Sequence, residues 1–285
     1  MQCRLDTMTD FLLLEFNDLS VSEVVAQLKA RRRFARFTYV VTPNADHLAR
    51  LKKQPRLRQI YERAWLRLLD SRVLSLTAWL LGLEAPRVTT GADITAALLA
   101  ALEPEVIAVI GLPPALMEKL RVAYPGQKFI HHAPPQNLLR DELAFRRARD
   151  FAVRTNARFT FIALGSPLQE ILAYAIALQP GSTGVGLCIG AALEYCAGEP
   201  RAPGWMRRCG LEWLHRLARD PRRLARRYLR DDPPVLLALL AARFKRKVPR
   251  FPPDQPLQSP PAAISGRDPY PPPRPERLRK IPDAG

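Results

Sequence analysis

The sequence predicts an α/β fold, a mostly parallel sheet flanked by helices. Three observations predict it. Six short apolar, β-rich runs recur between residues 37 and 189, helical patterns fill the intervals, and the runs are continuously apolar, as strands covered on both faces must be. The first helix opens at the capping box Ser20-x-x-Glu23 and is expected to end near Arg33. Strand Phe37–Val41 follows, then a helix beginning near Ala45, then strand Trp65–Leu69. Helical spacing over Asp93–Ala101 leads to strand Val106–Ile110, and Pro114–Tyr124 leads to strand Lys128–His132. Helix Glu142–Thr155, strand Phe159–Leu164, helix Leu168–Ala177 and strand Val185–Ile189 complete a Rossmann-like alternation. Three parts are expected: an α/β catalytic domain over 1–200, a basic helical C-terminal appendage over 201–250, and a disordered proline-rich tail over 251–285. Residues 248–285 hold 12 of the 28 prolines and few large apolar residues, so that stretch cannot build a core.

Composition narrows the class further. With 285 residues and 47% hydrophobic side chains the chain can bury a real core, which excludes global disorder. Cys3, Cys188, Cys196 and Cys209 form no C-x-x-C pair, so neither a disulfide scaffold nor a zinc module is expected, and a reducing cytosolic setting fits. No run reaches the roughly 18 to 20 apolar residues that span a bilayer. The longest, Val235–Ala242, precedes the cationic Arg243–Lys247 and suits the surface of an anionic membrane rather than its interior. The N-terminus lacks the order of a signal peptide. Of the net charge of +17, +11 falls within residues 201–250. A localised basic segment implies an anionic partner: nucleic acid, anionic lipid or a phosphate-bearing substrate.

In parallel sheets ligands bind at the carboxyl ends of the strands. Those ends are followed here by Thr42-Pro-Asn44-Ala-Asp46-His47, by Asp70, by Gly111, by His131-His132, by Gly165-Ser166-Pro167-Leu-Gln169-Glu170, and by Gly190 with Glu194. Asp70 is placed to accept a proton, against the alternative of a loop or capping aspartate. Thr42 and Asn44 supply neutral hydrogen-bonding groups, or a cap for the helix near Ala45. Gly165-Ser166-Pro167 reads as a strand-to-helix junction with Ser166 at the N-cap and Pro167 at N1, where free N–H groups suit an anion or a sugar hydroxyl. There is no G-x-x-x-x-G-K-[ST] and no G-x-G-x-x-G, and Gly184, Gly186 and Gly190 read equally as packing glycines or ligand contacts. Adjacent strand residues face opposite ways, which argues against His131 and His132 as a paired metal site.

Beyond residue 200, Asp220-Pro221 reads as the N-cap and N1 of a helix on which Arg223, Arg226, Arg227 and Arg230 share one face, with Arg216 closing the helix before it. Convergent arginine forks can neutralise a diphosphate leaving group. The interleaved Trp205, Trp213 and Tyr228 suggest a segment that docks, whereas no nucleic-acid-binding motif is present and a basic nucleic-acid-binding protein is only the alternative.

Thr42-Pro-Asn44-Ala-Asp-His-Leu48, Asp70, Arg87–Asp93, Leu164–Glu170, Gly190–Gly198 and above all Arg201-Ala-Pro through Tyr228 make the chain resemble the bacterial WecB/TagA/CpsF family of glycosyltransferases (glycosyltransferase family 26) from about Leu19 to Leu229. The resemblance implies inverting transfer of a hexose, N-acetylmannosamine or a relative, from a UDP-sugar donor to a polyprenyl-diphosphate-linked acceptor. It places the chain in cell-surface polysaccharide synthesis, on the cytoplasmic face of the membrane, with no cofactor and no required metal. By position it makes Asp70 the base, puts Thr42 and Asn44 in the active site, and gives Arg87, Gln169, Glu194, Arg216, Arg223 and Arg226 to substrate binding. No nucleic-acid partner is implied, and homo-oligomer formation is left open. The chain departs from the family pattern at Ser71-Arg72, where glycine usually follows the aspartate, and at Gly190-Ala-Ala-Leu-Glu194, where the usual pattern is G-G-x-F-D. These departures bear on which sugar fits and admit an inactive member.

Overall fold

The computed structural model describes residues 8–12 and 14–219, together with 221 and 240. The tail, Arg223, Arg226, Tyr228 and the 235–242 run as a whole therefore lie outside the described residues. The centre is a six-stranded sheet, every pairing parallel, built from β3 (Thr38–Val41), β4 (Leu66–Arg67), β5 (Val106–Gly111), β6 (Lys128–His132), β7 (Phe159–Ala163) and β8 (Val185–Cys188) in the order β4-β3-β8-β7-β5-β6. It is preceded by an antiparallel hairpin, β1 (Met8–Phe11) and β2 (Leu14–Asn17), which the sequence reading did not anticipate. The hairpin buries Phe11, Leu14 and Phe16. Its last residue also shields a sheet edge: Asn17 Oδ1 accepts the Arg67 N–H at 2.9 Å, and Arg67 Nε donates to Glu15 O at 2.6 Å.

Alternation along the strands divides the interior into two layers. Tyr39, Val41, Ile110, Ile162 and Cys188 face one core; Val40, Ile107, Val109, Phe161 and Leu187 face the other. The first layer is covered by α2 (Ala45–Lys53), α3 (Arg58–Glu62), α4 (Arg72–Leu80), α7 (Glu142–Thr155) and α8 (Leu168–Ala177). The second is covered by α1 (Val21–Ala30), α5 (Gly91–Ala101), α6 (Pro114–Ala123) and α9 (Ala192–Cys196). The predicted α/β class and Rossmann-like layering are thus present, with every predicted strand found and each bound within two residues of its expected place.

Local chemistry sets the boundaries. Ser20 caps α1 with the full capping box, its hydroxyl accepting the Glu23 N–H while Glu23 accepts the Ser20 N–H at 2.8 Å. The helix stops at Ala30 rather than near Arg33, because Arg31 turns into extended backbone, donates to Arg36 O at 2.7 Å and lays its guanidinium 4.9 Å from the Trp65 ring. The strand expected over Trp65–Leu69 is regular only at Leu66–Arg67; beyond it Leu68 N–H still donates to Val41 O, and Leu69 bridges instead to Val88. At the end of β5, Gly111 has φ +91°, and a Cβ there would lie 2.4 Å from Ala163 O, so this glycine permits close approach of two strand ends.

One topological feature positions everything below. The neighbouring strands β3 and β8 hand the chain to opposite faces of the sheet, β3 to α2 in the first layer and β8 to α9 in the second. Such a divergence opens a crevice at the carboxyl edge.

Candidate active site

Thr42 follows β3 at the lip of this crevice. It is buried, and its Oγ1 lies 3.4 Å from Cys188 O across the β3–β8 divide. Asn44 is the N-cap of α2: its Oδ1 accepts the Asp46 N–H at 3.1 Å and the His47 N–H at 3.4 Å. The capping role weighed from sequence is therefore one that Asn44 fills.

Asp70 is brought beside this loop by backbone. Its N–H donates to Pro43 O at 2.9 Å, and Thr89 N–H donates to Leu69 O at 2.9 Å. Its carboxylate accepts the Gly91 N–H at 3.2 Å, the first residue of α5, where the helix dipole favours negative charge. Ser71 caps α4, its Oγ accepting the Leu74 N–H at 3.3 Å, so the residue that departs from the resembled pattern has a local structural task. Gly91 also lies against Thr42: a Cβ built on it would sit 3.1 Å from Thr42 Oγ1. Gly91 thus bonds Asp70 through its N–H and lies against Thr42, which would have to give way to a side chain there. Gly91→Ala is expected to leave stability within about 1 kcal/mol, since alanine favours the helix while the contact opposes it. Turnover should fall disproportionately; equal losses of stability and turnover would contradict the arrangement.

Beneath the lip runs a buried polar chain. Gly190 N–H donates to Gln169 Oε1 at 2.9 Å, Gln169 Nε2 donates to Glu170 Oε1 at 2.8 Å, and His47 Nε2 stands 3.5 Å from the same oxygen. Glu170 is 1% exposed, and its Oε2 is buried with no hydrogen-bond partner. Burial alone would raise the Glu170 carboxyl, but the hydrogen bond and charge of His47, helped by Gln169, outweigh it and hold the group below its ordinary value. Burial pushes the neighbouring Cys188 thiol well up. His47 closes the chain on Asn44, whose N–H lies 3.1 Å from Nδ1. Sequence reasoning placed His47 at the same sheet edge as Gln169 and Glu170 but gave it no role, although it stands three residues after a capping asparagine.

The expected anion-holding turn at Gly165–Pro167 differs from its reading. α8 begins at Leu168 with Pro167 at the cap position and no side-chain cap, and the Ser166–Pro167 bond is cis. Ser166 is drawn instead to partly buried polar neighbours: its Oγ accepts from Arg50 Nη1 at 2.8 Å and lies 3.3 Å from the Tyr61 hydroxyl. Arg50 is in turn paired with Asp46 at 2.9 Å. His131 and His132 diverge as expected, Nε2 of the first lying 2.7 Å from Gly111 O and the ring of the second stacking on Phe151.

Thr42, Asn44, Asp70 and Gln169 are therefore grouped around the β3–β8 crevice, and half-buried Glu194 sits on α9, which follows Gly190. Arg87 is largely exposed; its N–H donates to Asp18 Oδ1 at 2.8 Å and its guanidinium lies 3.8 Å from Asp18 and from Glu23, at the start of α1. Arg216 is carried by α11 (Glu212–Arg219), which follows α10 (Gly204–Arg208). The residue that sequence reasoning quoted without assigning is Arg201. Burial would lower its guanidinium, but hydrogen bonds to Asp93 and Glu212 hold it above its ordinary value. Burial would likewise raise Asp93, and the bonds from Arg201 and Thr90 hold it below. Among the described residues no group of three or more His, Cys, Asp or Glu side chains is arranged to hold a metal ion, and no helix is long and apolar enough to cross a membrane.

A parallel α/β sheet with a switch-point crevice, a carboxylate at its lip and polar side chains around it defines a ligand-processing protein of the Rossmann type. The sequence pattern of the glycosyl transferase WecG/TagA/CpsF family matches residues 9–249, and the chain belongs to that family. It is accordingly a glycosyltransferase of cell-surface polysaccharide synthesis.

Proposed function

We propose that the chain is an inverting hexosyltransferase that moves N-acetylmannosamine or a related hexose from a UDP-sugar to a polyprenyl-diphosphate-linked sugar. The observation that carries this reading is the Asp70 carboxylate at the crevice lip, oriented by the Gly91 N–H and adjacent to Thr42. Inversion needs a base on one side of the anomeric carbon and charge stabilisation of departing UDP on the other. In this reading Asp70 Oδ takes the proton from the acceptor hydroxyl as its oxygen attacks, and the pair of electrons of the cleaved C–O bond leaves with UDP. In the same reading Thr42 and Asn44 line the sugar, Gln169 holds the Gly190 turn, and Glu194 and Arg87 are assigned to the rest of the substrate. Arg216, Arg223 and Arg226, from the 201–250 appendage, grip the diphosphate.

Work at a membrane surface is supported by α4, which begins two residues after Asp70 and leaves Leu76, Trp79 and Leu80 exposed at i, i+3 and i+4. Trp205 on α10 is also exposed. The test of the whole reading is a screen of UDP-hexoses, with their N-acetyl and uronic forms, against lipid-linked acceptors, read as UDP release. Turnover with one pair is expected, and none with any pair would reject it. Arg223→Ala and Arg226→Ala should each cost about 1.5 to 3 kcal/mol of transition-state stabilisation, the scale of a charge-assisted hydrogen bond. An unchanged kcat/KM in both would return these arginines to a solvated face.

A further inference from the structure

We propose that Arg201 is a positioning residue which couples docking of the C-terminal helices to the placement of Asp70. The inference rests on the reading of Asp70 as the reaction's base. Arg201 is only 17% exposed and is gripped from two sides. On one side Nη1 donates to Asp93 Oδ1 at 2.6 Å and Nη2 lies 3.4 Å from Thr90 Oγ1, both in the first turn of α5 or its cap. On the other, Nε and Nη2 reach the two carboxylate oxygens of Glu212, the first residue of α11, at 3.3 and 3.4 Å. A planar guanidinium is suited to bridging two acidic groups in this way, and a lysine cannot reproduce the fork.

The grip falls on the turn that orients the carboxylate. Thr90, Gly91 and Asp93 are consecutive parts of one capped helix start: Thr90 Oγ1 accepts the Asp93 N–H at 3.1 Å, and Gly91 N–H donates to Asp70. The Arg201 contacts and the Gly91 donor share the cap and first turn of α5. A second contact runs the same way. The turn between α10 and α11 places Gly210 so that its Cβ position is 3.5 Å from the Cβ of Arg72, the first residue of α4 and two residues after Asp70. The C-terminal helices therefore bear on both elements that hold Asp70, and Glu212 is the link whose loss frees α11 from Arg201 while leaving the Asp93 contact in place.

The test is amide hydrogen exchange of the full-length chain, comparing wild type with Glu212→Gln, Arg201→Lys and Arg201→Gln. Exchange in residues 88–94 is expected to rise roughly tenfold in each variant, together with exchange in 204–219, while strands β5 and β7 keep their protection. UDP affinity should be preserved and kcat reduced, a split that general loss of stability would not give. Glu212→Gln carries the test if the Arg201 variants do not fold. Wild-type exchange over 88–94 in Glu212→Gln, whether or not α11 loosens, overturns the proposal. Turnover of Asp70→Asn separates the two ideas: wild-type turnover with coupled exchange removes the base and leaves the mechanical link, whereas an inactive variant with uncoupled exchange removes the link and leaves the base.

Discussion

Asp70→Asn is expected to reduce sugar transfer by a factor of about 10² to 10⁴, the contribution of a positioned general base, while UDP binds as before. Asparagine keeps the shape and can still present an oxygen to the Gly91 N–H, so the local geometry should persist. What it loses is the capacity to take a proton from an incoming hydroxyl. The measurement is initial-rate kinetics on the best donor and acceptor pair alongside calorimetric titration with UDP. A rate equal to wild type would remove Asp70 as base, and lost UDP binding would show that the substitution disturbs the nucleotide site instead.

The second large effect is on stability. Glu170→Ala should cost about 3 to 5 kcal/mol, because it strands His47 Nε2 and Gln169 Nε2 at a buried position. Glu170→Gln should cost less, since an amide oxygen can still accept from His47. The pH dependence distinguishes charge from shape. The Glu170 carboxyl is held below its ordinary value of 4.5, so its contribution is complete above that value and is lost as pH falls through the lower folded-state one. Wild type should therefore lose stability on acidification through this range more steeply than Glu170→Gln does. Urea unfolding across the acid range checks both points, and parallel curves for the two proteins would show that the Glu170 charge contributes nothing.

The strands were readable because β5, β7 and β8 are buried on both faces and so run as unbroken apolar blocks. The hairpin was not, because each of its strands is four residues long and carries a charged residue beside its aromatics. At the site, Asp70 and Thr42 could be found from one rule, that ligands meet strand ends, applied to one chain position at a time. The links that matter most are non-local. Arg201 and Asp93 are 108 residues apart, and neither spacing nor composition joins them. The pairing of His47 with Glu170 is hidden for the same reason, and Ser166 was misread because its partners, Arg50 and Tyr61, come from an earlier part of the chain. Local grammar reveals caps and periods; it does not reveal which distant side chain a buried hydroxyl or carboxylate will meet.

The doubly engaged amide of Gln169 has one more consequence. Its oxygen faces a donor, Gly190 N–H, and its nitrogen faces an acceptor, Glu170 Oε1, so the side chain can sit in only one of its two amide orientations. That choice gives the row a polarity, with protons pointing from the β8 turn towards the carboxylate. A glutamate at position 169 would be nearly the same size but would present acceptors at both ends, opposing one carboxylate to another. The floor of the crevice is thus selected by the direction of its hydrogen bonds as much as by its shape.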